Sequence, residues 1–404
     1  RQARGGYGPL VKAATDASNR KTRNTPMKLT HFDIITVDIP MRHSVRHALA
    51  ERNVARNILV AAHADSGDIG WGECCPRPYV TGETIESVQQ DLTNTILPQL
   101  LGRELDAFEQ CNTLLLPLLD SMARNQQAAF CAAELAVLDL AGRHFGNSAG
   151  RVLGPVTTPQ VRYSGVIATD DLESVKQNAA FMAKFGVGDV KVKVGASLQE
   201  NLEILTTARA ILGDQVTLRI DANCAWTAEE TLRQLQAMQA FSLTGVEQPV
   251  PGDDIEGMCA VTAAKLVPVV ADESLCSLED ARTLISRQAC DIFNVRISKC
   301  GGLINAARID RLAREAGLKC QLGAQVGEAG ILSAAGRHYA TRSAGVRWCE
   351  GSYGQLLLEE DITDPDITVG PGGVAPALDS AGMGVIPLPE RLQKYELSRT
   401  RLSA

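Results

Sequence analysis

Five residues recur down the second half of the chain at nearly constant intervals: Lys193, Asp221, Glu247, Asp272 and Lys299, separated by 28, 26, 25 and 27 positions. Each closes a short apolar run, in "KVKVG", "RIDANCAW", "VEQP", "ADES" and "ISKCGG". Three acids framed by two lysines point to one chemistry, the removal of a weakly acidic proton next to a carboxylate. Carboxylates on neighbouring strands can meet on one ion, and three oxygen ligands with open positions suit Mg²⁺ or Mn²⁺ rather than zinc. A lysine beside a divalent cation and a second lysine has its pKa depressed, so its neutral amine becomes usable as a general base. The ion would stabilise the enediolate that proton removal leaves. Lys191 lies two residues before Lys193, so the two side chains share a face of any strand formed there. Lys191 is expected one layer deeper, where its charge lowers its neighbour's pKa and attracts the substrate anion.

The interval between these residues matches one strand plus one helix. After about residue 160 the strand-like runs are "VRYSGVIA", "DVKVKVG", "VTLRIDAN", "TGVEQP", "VPVVADES", "DIFNVRISK", "KCQLGAQ" and "VRWCEGS". They alternate with segments such as "SLQENLEILTTARAILG", whose apolar residues return every three or four positions. This alternation implies βαβ units and a parallel sheet. Eight such strands fit a closed TIM-like (β/α)7β barrel, expected over residues 156–370, with the reactive groups at the strands' C-terminal ends. An open doubly wound sheet would carry a glycine fingerprint after its first strand, and "GVIATDD" supplies none. In a barrel the acids fall on the third, fourth and fifth strands. The lysines fall on the second and sixth, on opposite sides.

Composition excludes several other classes. The 404 residues are 45% hydrophobic and 22% charged with a net charge of −7, which argues against a surface made for nucleic acid or membrane. No apolar stretch approaches the roughly 18 to 20 residues that span a bilayer. The 11 cysteines show no CxxC spacing and read as reduced thiols, as in the cytoplasm. Residues 1–28 begin basic and nearly free of acids, and are expected as a disordered extension outside the fold. A small-molecule carboxylate is the expected partner.

At these motifs the chain resembles the muconate lactonizing subgroup of the enolase superfamily, in the same order and spacing. The likeness extends upstream to "GDIGWGECCP" and "AAFCAAELAVLDLAGRHFG". It implies that Asp221, Glu247 and Asp272 hold the metal, that Lys193 and Lys299 form the acid/base pair, and that Asn223 and Glu273 stand beside them. A mandelate-racemase-type site would place a histidine after the seventh strand, and "LGAQVGEAG" has none. The resemblance further implies an α+β capping domain over residues 29–155, a C-terminal segment, 371–404, that returns to it, and self-association into a homo-oligomer. Segments 41–48 and 74–83 would then close over the substrate. Arg42, Arg46, Arg77 and Tyr79 would bind its distal group, with Asn223 and Glu350 also facing it. "CEGSYGQLLLEEDI" on the eighth strand lacks the DxD pair of dipeptide epimerases and resembles the cycloisomerase pattern. Muconate-type cycloisomerisation is therefore the expected reaction. Racemisation or epimerisation of N-acyl amino acids or dipeptides, and a non-catalytic binding barrel, are the alternatives.

Overall fold

The computed structural model describes residues 25–47, 50–168 and 171–403. The expected N-terminal extension lies, up to residue 24, outside the described residues.

The chain opens with an antiparallel meander of β1 (Met27–His47), β2 (Ala50–Ala64) and β3 (Ile69–Cys74). β-branched and aromatic residues at Phe32, Ile34, Ile35, Val37 and Ile39 are buried along β1, as a strand covered by other layers requires. Helix α1 (Gln127–Phe145), rich in alanine and buried along almost its whole length, lies on this sheet. The approach is close because β3 presents glycines to it. A Cβ at Gly72 would stand 1.9 Å from the Ala132 carbonyl oxygen, and one at Gly70 would stand 2.2 Å from the Leu140 nitrogen. The phrase "GDIGWGEC" is thus a docking surface for a helix.

Eight strands follow: β4 (Gly165–Ile167), β5 (Asp189–Lys193), β6 (Thr217–Asp221), β7 (Val246–Glu247), β8 (Val269–Ala271), β9 (Ile292–Val295), β10 (Lys319–Leu322) and β11 (Val346–Cys349). They pair in parallel and in sequential order. The first and last meet at a parallel bridge between Tyr163 and Cys349, where the Ser164 N–H donates to the Cys349 carbonyl at 2.8 Å. Helices α2 (Leu172–Phe185), α3 (Leu198–Leu212), α4 (Ala228–Ala237), α5 (Ile255–Ala264), α6 (Leu278–Ser286), α7 (Gly302–Glu315) and α8 (Gly330–Arg342) each follow one of the first seven strands. The result is a (β/α)7β barrel. Asp171, Ser197, Thr227, Asp254 and Ser277 cap α2 to α6 by accepting backbone N–H groups, so each strand-to-helix turn is fixed locally.

Buried acids join the meander and α1 to the barrel. Glu134 of α1 accepts the N–H groups of Leu303 and Ile304 at 2.6 and 2.9 Å, where α7 begins. Glu73 of β3 does the same for Ala329 and Leu332 at the start of α8. Strand β12 (Glu396–Ser403) runs back antiparallel to β1, and Asp33 accepts Arg401 Nε and a terminal Arg401 nitrogen at 2.7 and 2.9 Å. Glu134→Ala would leave two buried donors unpaired at about 1–3 kcal/mol each. It is expected to lower Tm by several degrees with little change in the barrel's own site, as melting followed by circular dichroism will show.

All 11 cysteines are free thiols. Among the described residues no helix is long and apolar enough to cross a membrane.

Candidate active site

The parallel register places Lys193 beside Asp221 and Asp221 beside Glu247, a level row across β5, β6 and β7. Lys191 sits one layer lower beside Arg219. Asp272 follows the end of β8, and Glu350 follows the end of β11. All these side chains are buried inside the barrel.

Lys191 is held by three carboxylates: its Nζ stands 2.8 Å from Glu350 Oε2, 3.1 Å from Glu247 Oε1 and 3.3 Å from Asp221 Oδ2. Burial alone would lower its pKa, but Glu247, Glu350 and Asp221 outweigh it and raise it above the usual lysine range. Lys191 is therefore a fixed internal cation. Glu350 also accepts Arg219 at 2.5 Å on its other oxygen, so both of its oxygens are engaged within the protein. Glu247 receives Asn294 at 2.9 Å and Gln321 at 2.7 Å besides Lys191. Burial, opposed by Lys191 and reinforced by Asp221 and Glu350, pushes Glu247 up to about 7. Asp221 is also buried, yet Lys191 and Lys193 hold its carboxyl well below the usual range.

Above Lys191 stands Lys193. Both border a cavity of about 700 Å³ at the C-terminal mouth of the barrel, and Lys193 is 8% exposed. Its Nζ donates to Asn223 Oδ1 at 2.7 Å and lies 3.6 Å from Asp221 Oδ2. The chain turns at Asn223 with φ +44°, a left-handed region that asparagine tolerates better than most residues. That turn brings the amide to the lysine. Asn223, Asp221, Glu273, Arg296 and Glu350 share the polar wall of the cavity. The apolar part of the lining comes from Val166, Phe181, Met182 and Phe185 on β4 and α2, with Leu356 and Leu357 after β11. Phe181 and Phe185 stack with centroids 5.4 Å apart.

The two closing segments reach this mouth. Arg42, His43, Ser44, Val45 and Tyr79 line the cavity, and Arg42 Nε donates to the Gln355 carbonyl at 2.6 Å in the loop that follows Glu350. The side chain of Arg46 lies outside the described residues.

Two of the expected site residues lie away from the cavity lining. Arg77 is 1% exposed, and its guanidinium donates to the Pro76 and Val326 carbonyls at 2.7 and 2.6 Å, bracing a loop. Arg77→Met is accordingly expected to lower Tm while leaving the ratio of kcat/KM between two substrates unchanged, and Tyr79→Ala is expected to change that ratio. Lys299 is fully buried, and all three of its donors are taken: Asp272 O at 2.6 Å, Asp272 Oδ1 at 2.8 Å and Asn294 O at 3.0 Å. It sits in the turn beyond β9, whereas the cavity-facing position is filled by Arg296. Neither Arg219 nor Arg296 was among the sequence candidates. Both were accessible to the alternation that pairs Lys191 with Lys193, since Arg219 precedes Asp221 by two and Arg296 directly follows the strand.

Among the described residues, no three carboxylate, imidazole or thiolate side chains stand close enough together to hold an ion. Arg296 is paired with Asp272, and Lys191 with the other two acids. The donor chemistry still suits a hard divalent cation: three fully buried carboxylates on adjacent strands, with Asp221 Oδ2 and Glu273 Oε2 buried and lacking any hydrogen-bond partner. Burial, then Asp272 beside it, raises Glu273 to about 8. Such strain between like charges is what a cation relieves.

Residues 31–154 match the family described as mandelate racemase / muconate lactonizing enzyme, N-terminal domain, and residues 173–391 match the enolase C-terminal domain-like family. The chain belongs to the mandelate racemase / muconate lactonizing enzyme family of the enolase superfamily. It is similar to N-succinyl-L-Arg/Lys racemase of Bacillus cereus, 28% identical over 315 residues that cover 78% of this chain and 84% of the relative. The crystal structure of that racemase matches with a TM-score of 0.86 at 26% identity, over 93% of this chain and 100% of the other. D-Ala-D/L-Ala epimerase of Cytophaga hutchinsonii is 29% identical over 359 residues, covering 89% and 95% of the two chains. The structure of a dipeptide epimerase from Cytophaga hutchinsonii, complexed with Mg and the dipeptide D-Ala-L-Val, matches with a TM-score of 0.84 at 26% identity over 93% and 100%. Muconate cycloisomerase 1 of Rhodococcus opacus is 26% identical over 373 residues, 89% of this chain and 96% of the relative. These relatives are all isomerases, and this chain is an isomerase of the same superfamily.

Proposed function

We propose that this enzyme removes the proton beside the carboxylate of an N-acyl amino acid or a dipeptide, as a racemase or epimerase, with Lys193 as the base on one face of the α-carbon and water in the cavity returning a proton on the opposite face. One observation carries this reading: the Lys193 amine stands in the wall of a cavity whose lining combines charged side chains with an apolar set from β4 and α2. A carboxylate head with an apolar body fits such a cavity. The comparisons favour racemases and epimerases over the cycloisomerase expected from the eighth strand.

Asp221, Glu247 and Asp272 would hold Mg²⁺, the ion present in the Cytophaga hutchinsonii structure. When bound, that ion supplies charge stabilisation to the carboxylate as its neighbouring carbon loses a proton. Lys193 accepts the proton, and Asn223 Oδ1 orients its amine. Lys191 and Arg219 neutralise the acids beneath. The apolar lining and the Arg42–Tyr79 rim keep bulk water from the intermediate.

A second reading, cycloisomerisation, is favoured by one feature. Arg296, not a second lysine, faces Lys193 across the cavity, which suits a reaction needing a single proton carrier. Incubation of N-acyl amino acids, apolar dipeptides and muconate with Mg²⁺ in D₂O separates the readings. Loss of optical rotation with one deuterium gained at the α-carbon is the expected result. Loss of diene absorbance from muconate alone would select the second reading, and no change in any substrate would sink both.

A further inference from the structure

The geometry points to Arg296, and not Lys299, as the β9 residue that meets the substrate, with its guanidinium holding the substrate's carboxylate and Lys299 acting as an internal brace. This inference rests on the reading above that an α-carboxylate occupies the cavity.

Four observations carry it. Arg296 lines the cavity on the side opposite Lys193, because β5 and β9 are four strands apart in an eight-stranded barrel. It is 9% exposed where Lys299 is 0%, so of the two only Arg296 has surface toward the cavity. Its terminal nitrogens are oriented by the protein, one on Gln325 Oε1 at 3.1 Å and one on Asp272. A guanidinium fixed in this way presents a planar fork of donors that matches a carboxylate, and it has no lone pair with which to take a proton. Lys299 shows the reverse. An ammonium has three donors, and here one binds each of Asp272 O, Asp272 Oδ1 and Asn294 O, with the side chain wholly enclosed. Reaching the substrate would cost it all three bonds. Their acceptors lie on the segment after β8 and on β9, so Lys299 ties together two neighbouring strand ends.

The consequence is an asymmetric site. Lys193 handles the proton on one face, and a fixed cation grips the oxygens from the other, where water and not a second lysine returns a proton. An arginine here acts on substrate binding first, whereas a lysine brace acts on stability first.

The test uses the full chain with saturating Mg²⁺ and N-acetyl-L-phenylalanine as the probe, with binding followed by calorimetry and melting followed by circular dichroism. Arg296→Met is expected to weaken probe binding about tenfold or more, the loss of a charged hydrogen-bonded pair. Arg296→Lys is expected to recover only part of that loss, because it restores the charge without the fork. Lys299→Met is expected to keep the probe's Kd within about threefold of the parent value and to lower Tm by more than Arg296→Met does. Lys299→Gln, which keeps a donor toward Asp272, serves if Lys299→Met does not fold. Probe binding lost with the Lys299 variant and kept in Arg296→Met would overturn the inference. So would a larger melting loss in Arg296→Met. A parent chain that binds no probe and exchanges no α-proton sinks the functional reading, while the melting comparison still decides which residue is the brace.

Discussion

Lys193→Ala is expected to lower kcat by about 10²–10⁴-fold while leaving the chain folded, the range that removal of a positioned acid/base group produces. The reason is where its bonds are. Lys193 makes one hydrogen bond, to Asn223, and a longer ion pair with Asp221, at the edge of a cavity that water or substrate can enter. Removing it leaves Asp221 still paired with Lys191 at 3.3 Å, so no buried charge loses its last partner. Lys191→Met is the contrasting case. Three acids lose a shared buried cation, and breaking a buried pair costs about 3–5 kcal/mol. Activity should vanish in both variants, but Tm should collapse only in the second. The reading for Lys193 rests on α-proton exchange into D₂O, followed by NMR. A Lys193→Ala protein that exchanges at a tenth of the parent rate would remove Lys193 from the chemistry.

That contrast shows what could be read from sequence and what could not. The row Lys193, Asp221, Glu247 was legible because strand pairing in a parallel barrel repeats at a near-constant interval, and each of the three is the last residue of its strand. The interval failed at β9. Spacing from Asp272 and the likeness of "ISKCGG" to the family's motif both favour Lys299, but β9 ends at Val295, and in the turn that follows Lys299 Nζ bonds Asp272. Spacing sets distance along the chain, whereas the loop sets which side chain enters the barrel. Arg77 was misjudged for a related reason. Its partners are backbone carbonyls of Pro76 and Val326, one of them 249 positions away, and no local pattern announces them. Glu134 could have been found. A carboxylate in the middle of an alanine-rich buried helix needs donors from another element, and α7 supplies them. The apolar wall from α2 was hidden for a different reason. An amphipathic helix covering a barrel gives the same periodicity whether its apolar face packs on strands or borders a cavity.

Chelation of divalent ions is expected to abolish turnover reversibly, and Asp221→Asn is expected to do the same irreversibly in a chain that stays folded. Asp221 is the least replaceable of the three acids. It is fully buried, it closes β6 in register with both Lys193 and Glu247, and its Oδ2 has ion pairs but no hydrogen bond. Burial opposes ionisation, but Lys191 and Lys193 hold its carboxyl well below the usual range, which favours the charged form that a cation needs. Asparagine preserves the shape and the bond from the Asn223 N–H to Oδ1, which stands at 3.0 Å, while removing that charge. The stability readout is independent of substrate. A ligand that binds only the folded state raises stability by RT ln(1 + [L]/Kd), about 2.7 kcal/mol at a hundredfold excess over Kd. Added Mg²⁺ should therefore raise the parent Tm, and the same addition should leave Asp221→Asn unmoved. Glu273→Gln tests whether the effect is general to acids around the cavity. Glu273 lies in the cavity wall with an unpartnered Oε2 but outside the row of strand ends, so its variant should keep most of the Mg²⁺-dependent rise. Full turnover in excess chelator would refute the metal assignment outright. An undiminished Mg²⁺ shift in Asp221→Asn would place the ion elsewhere.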